Sequence, residues 1–134
     1  MTQKTKQFFR WTLVGLAGIL FLYSSLSKIL GDPQTLQIGL NFGLDNATFK
    51  AVGVIELLSI VLFIIPRTSL VGTMLLIAYM GGAIASHLEH HEAIWSAVFV
   101  QIFIWITAFV RFPELKDRIF GNTGLTRATR ASDQ

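Results

Sequence analysis

Glu56 is the one carboxylate set deep inside an apolar run of this 134-residue chain, so any chemistry the chain performs in that environment starts there. It lies about six residues, or ~9 Å of helical rise, from the polar end of the run Ala51 to Pro66. An acidic residue at the centre of a membrane helix costs about 2.5 to 3.5 kcal/mol, and each Val, Ile, Leu or Phe neighbour returns roughly 0.3 to 0.6 kcal/mol. The eleven such neighbours between Val52 and Ile65 offset that cost, so the run inserts with Glu56 in place. Glu56 then has three states open to it: an ion pair with Lys28, a hydrogen bond to His87, or a protonated carboxyl in a desolvated site.

Other apolar runs bring polar residues to a similar depth. Gly15, Gly18, Leu22, Ser25 and Lys28 recur at spacings of three and four, which places them on one helical stripe. Ala78, Gly82 and Ser86 form a small-xxx-small face that ends beside His87 and predicts close helix approach. Gln101 is the one polar residue in the stretch Val98 to Ile106 of the last apolar run. Glu56 and His87 are the candidates for proton handling, and Ser25, Lys28, Ser86 and Gln101 the candidates for ligand binding. Each has a plainer reading: an interhelical hydrogen bond for Glu56 and Gln101, a polar helix cap for His87, and for Lys28 an ammonium that snorkels outward to the interface. His87, His90 and His91, with Glu89 and Glu92, have spacings that suit metal ligands, but an exposed polar link after an apolar run explains them equally, and no metal site is assigned.

These residues need elements that hold them in lipid. The chain is 52% hydrophobic and 14% charged, against a charged fraction of about 25% in soluble domains. Four runs, Trp11 to Ser27, Ala51 to Pro66, Thr68 to Ser86 and Ala93 to Val110, have the length and apolarity to cross a bilayer. The expected fold is all-α: a four-transmembrane-helix bundle over residues 11–112, with spans near 11–30, 49–66, 68–87 and 93–112. A basic segment, 1–10, precedes the bundle and a polar tail, 113–134, follows it, the last part expected to be disordered. Asp32-Pro33 predicts a capped short helix carrying Leu36 and Leu40, lying at the membrane surface in the first outer loop. Asp45 or Asn46 is expected to cap the second span, and Pro66 to Ser69 to turn tightly into the third.

Both termini and the Arg67 turn share one side, with Lys4, Lys6, Arg10, Arg67, Arg111, Lys116, Arg118, Arg127 and Arg130, whereas the other side has Lys28 and Lys50. The positive-inside rule places the termini in the cytoplasm, and the expected setting is a bacterial inner membrane. Basic residues, an apolar stretch and Ser25-Leu26-Ser27 also suit a cleaved signal, a reading rejected because the polar end of this run has a place in the bundle. The formal charge of +3 does not indicate nucleic acid, because the basic residues flank the spans. The absence of cysteine excludes thiolate metal sites and dithiol exchange run by this chain alone.

Taken together, Arg10-Trp11 leading to Gly18 and Ser27-Lys28, then Gly53 and Glu56, Ile65-Pro66-Arg67, Gly81-Gly82-Ala83 and Ser86-His87 resemble the DoxX-like family of small four-span membrane proteins. The resemblance covers Arg10 to about Phe112 and implies a four-helix membrane bundle. Relatives in that family resemble a part of a thiosulfate:quinone oxidoreductase, partners of redox enzymes, or assembly factors. Three functions follow as expectations. The first is a quinone-linked or redox-associated subunit that binds a small amphiphile near Glu56 and His87, its partners being the lipid bilayer and membrane redox proteins. The second is a non-enzymatic assembly protein recognising other transmembrane helices. The third is proton-coupled transport, for which so short a chain would have to form a homo-oligomer.

Overall fold

A computed structural model describes residues 1–121. The expected tail disorder and the charges Arg127 and Arg130 lie outside the described residues. The chain forms α1 (Gln3–Leu30), α2 (Pro33–Asn41), α3 (Asn46–Ile64), α4 (Ser69–Glu89), α5 (Trp95–Arg111) and α6 (Pro113–Ile119), with no strand among the described residues. Four long helices make an antiparallel bundle in which α1 packs along α3, α3 along α4 and α4 along α5, and α5 closes back on α1 over a shorter stretch. The protein is an integral, multi-pass membrane protein.

The boundaries follow from local chemistry. The Thr2 hydroxyl accepts the Thr5 N–H at the start of α1, so the helix begins well before the apolar run and carries Lys4, Lys6 and Arg10 on its first turns. At 28 residues α1 is ~42 Å long, more than the ~30 Å hydrocarbon thickness, which leaves those basic turns in the interface. It stops at Gly31, whose φ of 77° needs the freedom of glycine and whose N–H bonds the Ser27 carbonyl. Asp32 caps α2 and Asp45, rather than Asn46, caps α3, each carboxylate accepting the N–H three residues on. Helices α1, α3 and α4 are each long and apolar enough to cross a membrane alone. Helix α5, with 17 residues, is at the short end of the ~17 to 25 that span, and α6 turns away from it by 107° at Pro113.

Helix α2 meets the bundle through Gly39, where a Cβ would lie 2.6 Å from Cγ of Phe49. Leu40 points away, 53% exposed, so Leu36 and Leu40 do not seat this helix together. Val14, Ala17 and Phe21 of α1 pack with Ile60 and Phe63 of α3, Leu76 and Met80 of α4, and Ala97 and Ile104 of α5. Ile60, Phe63, Leu76 and Ile104 are fully buried and fill the middle of the bundle with hydrocarbon.

Two glycines set the close contacts between the long helices, and neither belongs to the predicted small-residue face of α4. A Cβ at Gly53 would sit 2.8 Å from Lys28 Cβ and 3.1 Å from the Ser25 carbonyl, so α1 and α3 touch there. A Cβ at Gly72 would collide with the backbone nitrogen and Cα of Phe63, which fixes the α3–α4 crossing. Gly82 has open space where its Cβ would be, and Ala78 is exposed. The Ala78, Gly82 and Ser86 face therefore lines a cavity instead of drawing two helices of the bundle together. On α1 the buried stripe runs through Val14, Ala17, Gly18, Phe21 and Ser25, and Gly15 lies off it.

Candidate functional site

Glu56 reaches the centre of the bundle from α3, one turn above the Ile60 layer, and is 1% exposed. Its Oε2 accepts from Lys28 Nζ at 2.6 Å and from the Tyr79 hydroxyl at 3.1 Å. Lys28 Nζ also donates to Ser24 Oγ at 2.6 Å and to the Tyr79 oxygen at 3.2 Å. The ammonium has three hydrogens and three acceptors, so it is fully used. It lies 5.8 Å from the Phe49 ring centroid and 5.9 Å from that of Tyr79, which adds cation–π attraction in a desolvated setting.

The outward snorkelling expected of Lys28 is not what forms. Lys28 sits near the end of α1, but the Gly53 contact brings its stem against α3, and a carboxylate one helix away is a better partner for the ammonium than the interface. Of the three states open to Glu56, the structure adopts the ion pair with Lys28.

His87 stands apart from that pair. Its Nδ1 lies 2.7 Å from the Ala83 carbonyl, which can only accept, so Nδ1 carries the hydrogen and a neutral ring keeps the Nε2 lone pair free. Phe42, just past α2, packs its ring on His87 at 4.8 Å and on His90 at 5.6 Å, which holds the imidazole in place.

Two cavities flank this cluster and share Tyr79, Ala83 and His87 as a common wall. The smaller, about 230 Å³, lies between α1 and α5, where those helices pack least; Leu20, Phe21, Ala97 and Val100 line it with Glu56 and His87. The larger, about 480 Å³, lies under α2 between α3 and α4, with Lys28, Ser86 and His87 in a mostly apolar wall. No hydrogen bond among the described residues ends on Glu56 Oε1 or on His87 Nε2. The smaller cavity is thus walled by two residues that each keep an unspent acceptor.

The remaining predicted residues separate. Ser25 is fully buried and its hydroxyl donates to the Leu22 carbonyl at 3.0 Å, so it serves α1 and not the cluster. Ser86 lines the larger cavity. Gln101 lies on the α5 face shared with Ala97 and Ile104, and its buried Oε1 has no partner among the described residues. His90 bonds the Ser86 carbonyl through Nδ1 at 3.0 Å. No three His, Asp or Glu side chains among the described residues come together as metal ligands would.

Ser24 and Tyr79 are members of the cluster that the sequence reading passes over. Both had a signal: Ser24 is four residues before Lys28, and Tyr79, Ala83 and His87 recur at a spacing of four on one face of α4.

The model described as the DoxX-like family matches residues 12–110, which takes in α1 from Thr12 onward, α2 to α4 and nearly all of α5. No curated protein and no solved structure matches the chain.

Proposed function

The chain belongs to the DoxX-like family, and we propose that within it the protein is a redox-associated membrane subunit that binds a small hydroxylated amphiphile, of the quinol and quinone class, between α1 and α5. The observation that carries this reading is the pair of unspent acceptors, Glu56 Oε1 and His87 Nε2, on the wall of one cavity. Two acceptors select a ligand that donates, and a quinol hydroxyl does so at the depth where the ring would lie. Leu20, Phe21, Ala97 and Val100 supply apolar contact for the ring, and the gap toward lipid gives a tail its exit. His87 Nε2 takes the hydroxyl proton, and Lys28 holds the Glu56 carboxylate in place on the same cavity wall.

The larger cavity has more room, but Lys28 and Tyr79 already direct their hydrogens to Ser24 and Glu56, so it offers less to a polar head group. The orientation that accompanies this reading keeps both termini in the cytoplasm of a bacterial inner membrane. The inward turn of Lys28 supports it, since Lys50 is then the basic side chain left on the outer surface.

Native mass spectrometry and absorbance of protein purified in its own lipid test the proposal. The expected result is a stoichiometric quinol, recovered as such or oxidised to its quinone during purification, in the wild type that is lost in Glu56→Gln. Equal ligand content in the two forms overturns it.

A second reading has its own support. Gly81 and Ala85 are exposed and line neither cavity, and a Cβ at Gly81 would meet nothing within 4 Å. A transmembrane helix of another protein could approach α4 closely there, as an assembly role requires. Cysteine crosslinking from position 85 in native membranes distinguishes the two: a defined partner supports assembly, and lipid-only adducts remove it.

A further inference from the structure

We propose that the end of the bundle carrying both termini binds a phosphate group, of the kind an anionic phospholipid presents, between Arg10 and Arg111. These two arginines line one cavity of about 190 Å³ with Trp11, Val14, Ser69 and Phe112, and none of its lining residues is acidic. Lys28–Glu56 is the one ion pair among the described residues, so neither guanidinium has a carboxylate there.

Arg111 is held by the fold. Its Nη1 donates to the Phe63 carbonyl and its Nη2 to the Ile64 carbonyl at 3.3 Å, across the bundle at the C-terminal end of α3. Its charge is well placed against that helix end, and the remaining guanidinium hydrogens have no protein acceptor among the described residues. Arg10 lies 5.9 Å from the centroid of the Trp11 ring and makes no hydrogen bond from its side chain to any described residue. Two like charges facing one cavity repel, and a shared anion removes that repulsion while supplying acceptors to both forks. The first turn of α4 adds partial positive charge to the same wall, because Thr68 makes no side-chain cap and the Ser69 hydroxyl is spent on the Pro66 carbonyl.

The rim favours a lipid over a soluble phosphate compound. Trp11 is 47% exposed and Val14 and Phe112 continue the wall in apolar groups, so a phosphate seated between the arginines leaves acyl chains against hydrocarbon. This site is separate from the Glu56 cavity, being lined by none of the same residues.

The experiment is native mass spectrometry of the full chain titrated with equimolar phosphatidylglycerol and phosphatidylcholine, and separately with inorganic phosphate. The variants are Arg10→Gln, which leaves the α3 cap intact, and Lys6→Gln, which removes an equal charge outside the cavity. A one-to-one phosphatidylglycerol adduct that weakens about tenfold in Arg10→Gln and little in Lys6→Gln supports the proposal. Equal losses in both variants reduce it to surface charge and overturn it, as does the absence of any phosphatidylglycerol preference. A phosphate adduct without a lipid adduct keeps the anion site and overturns the lipid source. Unchanged thermal unfolding of Arg10→Gln is required for these outcomes to count, and Arg10→Lys, which keeps charge but not the fork, serves in its place should Arg10→Gln unfold.

Discussion

Lys28 Nζ and Glu56 Oε2 meet at 2.6 Å, 28 residues apart in sequence, with side chains 12% and 2% exposed. Such a pair offsets two desolvation costs by mutual attraction and by further hydrogen bonds, and Ser24 and Tyr79 provide them to the ammonium and to Oε2, while Oε1 stays unspent. The pair therefore holds α1, α3 and α4 to one register at the level of the two cavities.

Removing one partner should cost more than removing both. Glu56→Gln leaves the Lys28 ammonium without its counter-charge and is expected to lose about 3 to 5 kcal/mol of stability. Adding Lys28→Met to it should recover a large share of that loss, since an unbranched apolar chain fills the same space. Thermal unfolding of the two single variants and the double variant in one detergent measures the coupling, and strictly additive effects would contradict the geometry.

Gly72 and Gly82, ten residues apart on α4, should respond oppositely to alanine. At Gly72 the new methyl meets the Phe63 backbone, which cannot rotate away, so α3 and α4 must separate at a cost of about 1 to 3 kcal/mol. At Gly82 nothing lies within 4 Å, and Gly82→Ala is expected to be neutral or to stabilise by roughly 0.5 to 1 kcal/mol through helix propensity. A matched pair of unfolding curves checks both signs.

The same two glycines show what hydropathy and spacing convey. The apolar runs are visible because a bilayer imposes length and composition, and the polar breaks at Asp32-Pro33, Asp45 and Pro66 are visible because caps and prolines act locally. Helix rotation is not local. Gly72 and Gly82 have the same sequence signature, yet one faces the Phe63 backbone and the other a cavity, because tertiary packing decides which side of α4 is shared. Depth brought Lys28, Glu56 and His87 into one candidate site, but it could not separate the ion pair with Lys28 from a bond to His87. That choice depends on the Gly53 contact that turns Lys28 inward. Tyr79 carries no site signal by type, because a tyrosine in a membrane helix is ordinarily an interfacial anchor.

Asp45 lies outside the spans, and acid should act on it first through the α3 cap. Hydrogen bonds from the Thr48 side chain, and then from its backbone N–H, hold the carboxyl below its ordinary value of 3.8. A carboxyl lowered in the folded state contributes stability that is present above its unfolded value and is lost as pH falls through the lower folded value. Amide exchange at the first turn of α3 is therefore expected to speed up, beyond the intrinsic rate, only below about pH 3.8. Asp45→Ala should show the faster exchange at every pH.

Ala83 separates occupancy of the cavities from integrity of the ion pair. It lines both cavities, makes no side-chain hydrogen bond and sits one turn from Tyr79 and one from His87. Leucine at this position extends from a partly buried wall that both cavities share, so the expected stability change is within about 1 kcal/mol. If a ligand occupies the space between α1 and α5, Ala83→Leu should reduce the copurified molecule several-fold while leaving the unfolding temperature near that of the wild type. Glu56→Gln lowers both quantities together and cannot tell loss of a ligand contact from loosening of the bundle. Full retention of the ligand in Ala83→Leu would place it outside both cavities, and the role assigned to Glu56 Oε1 and His87 Nε2 would fall with that result.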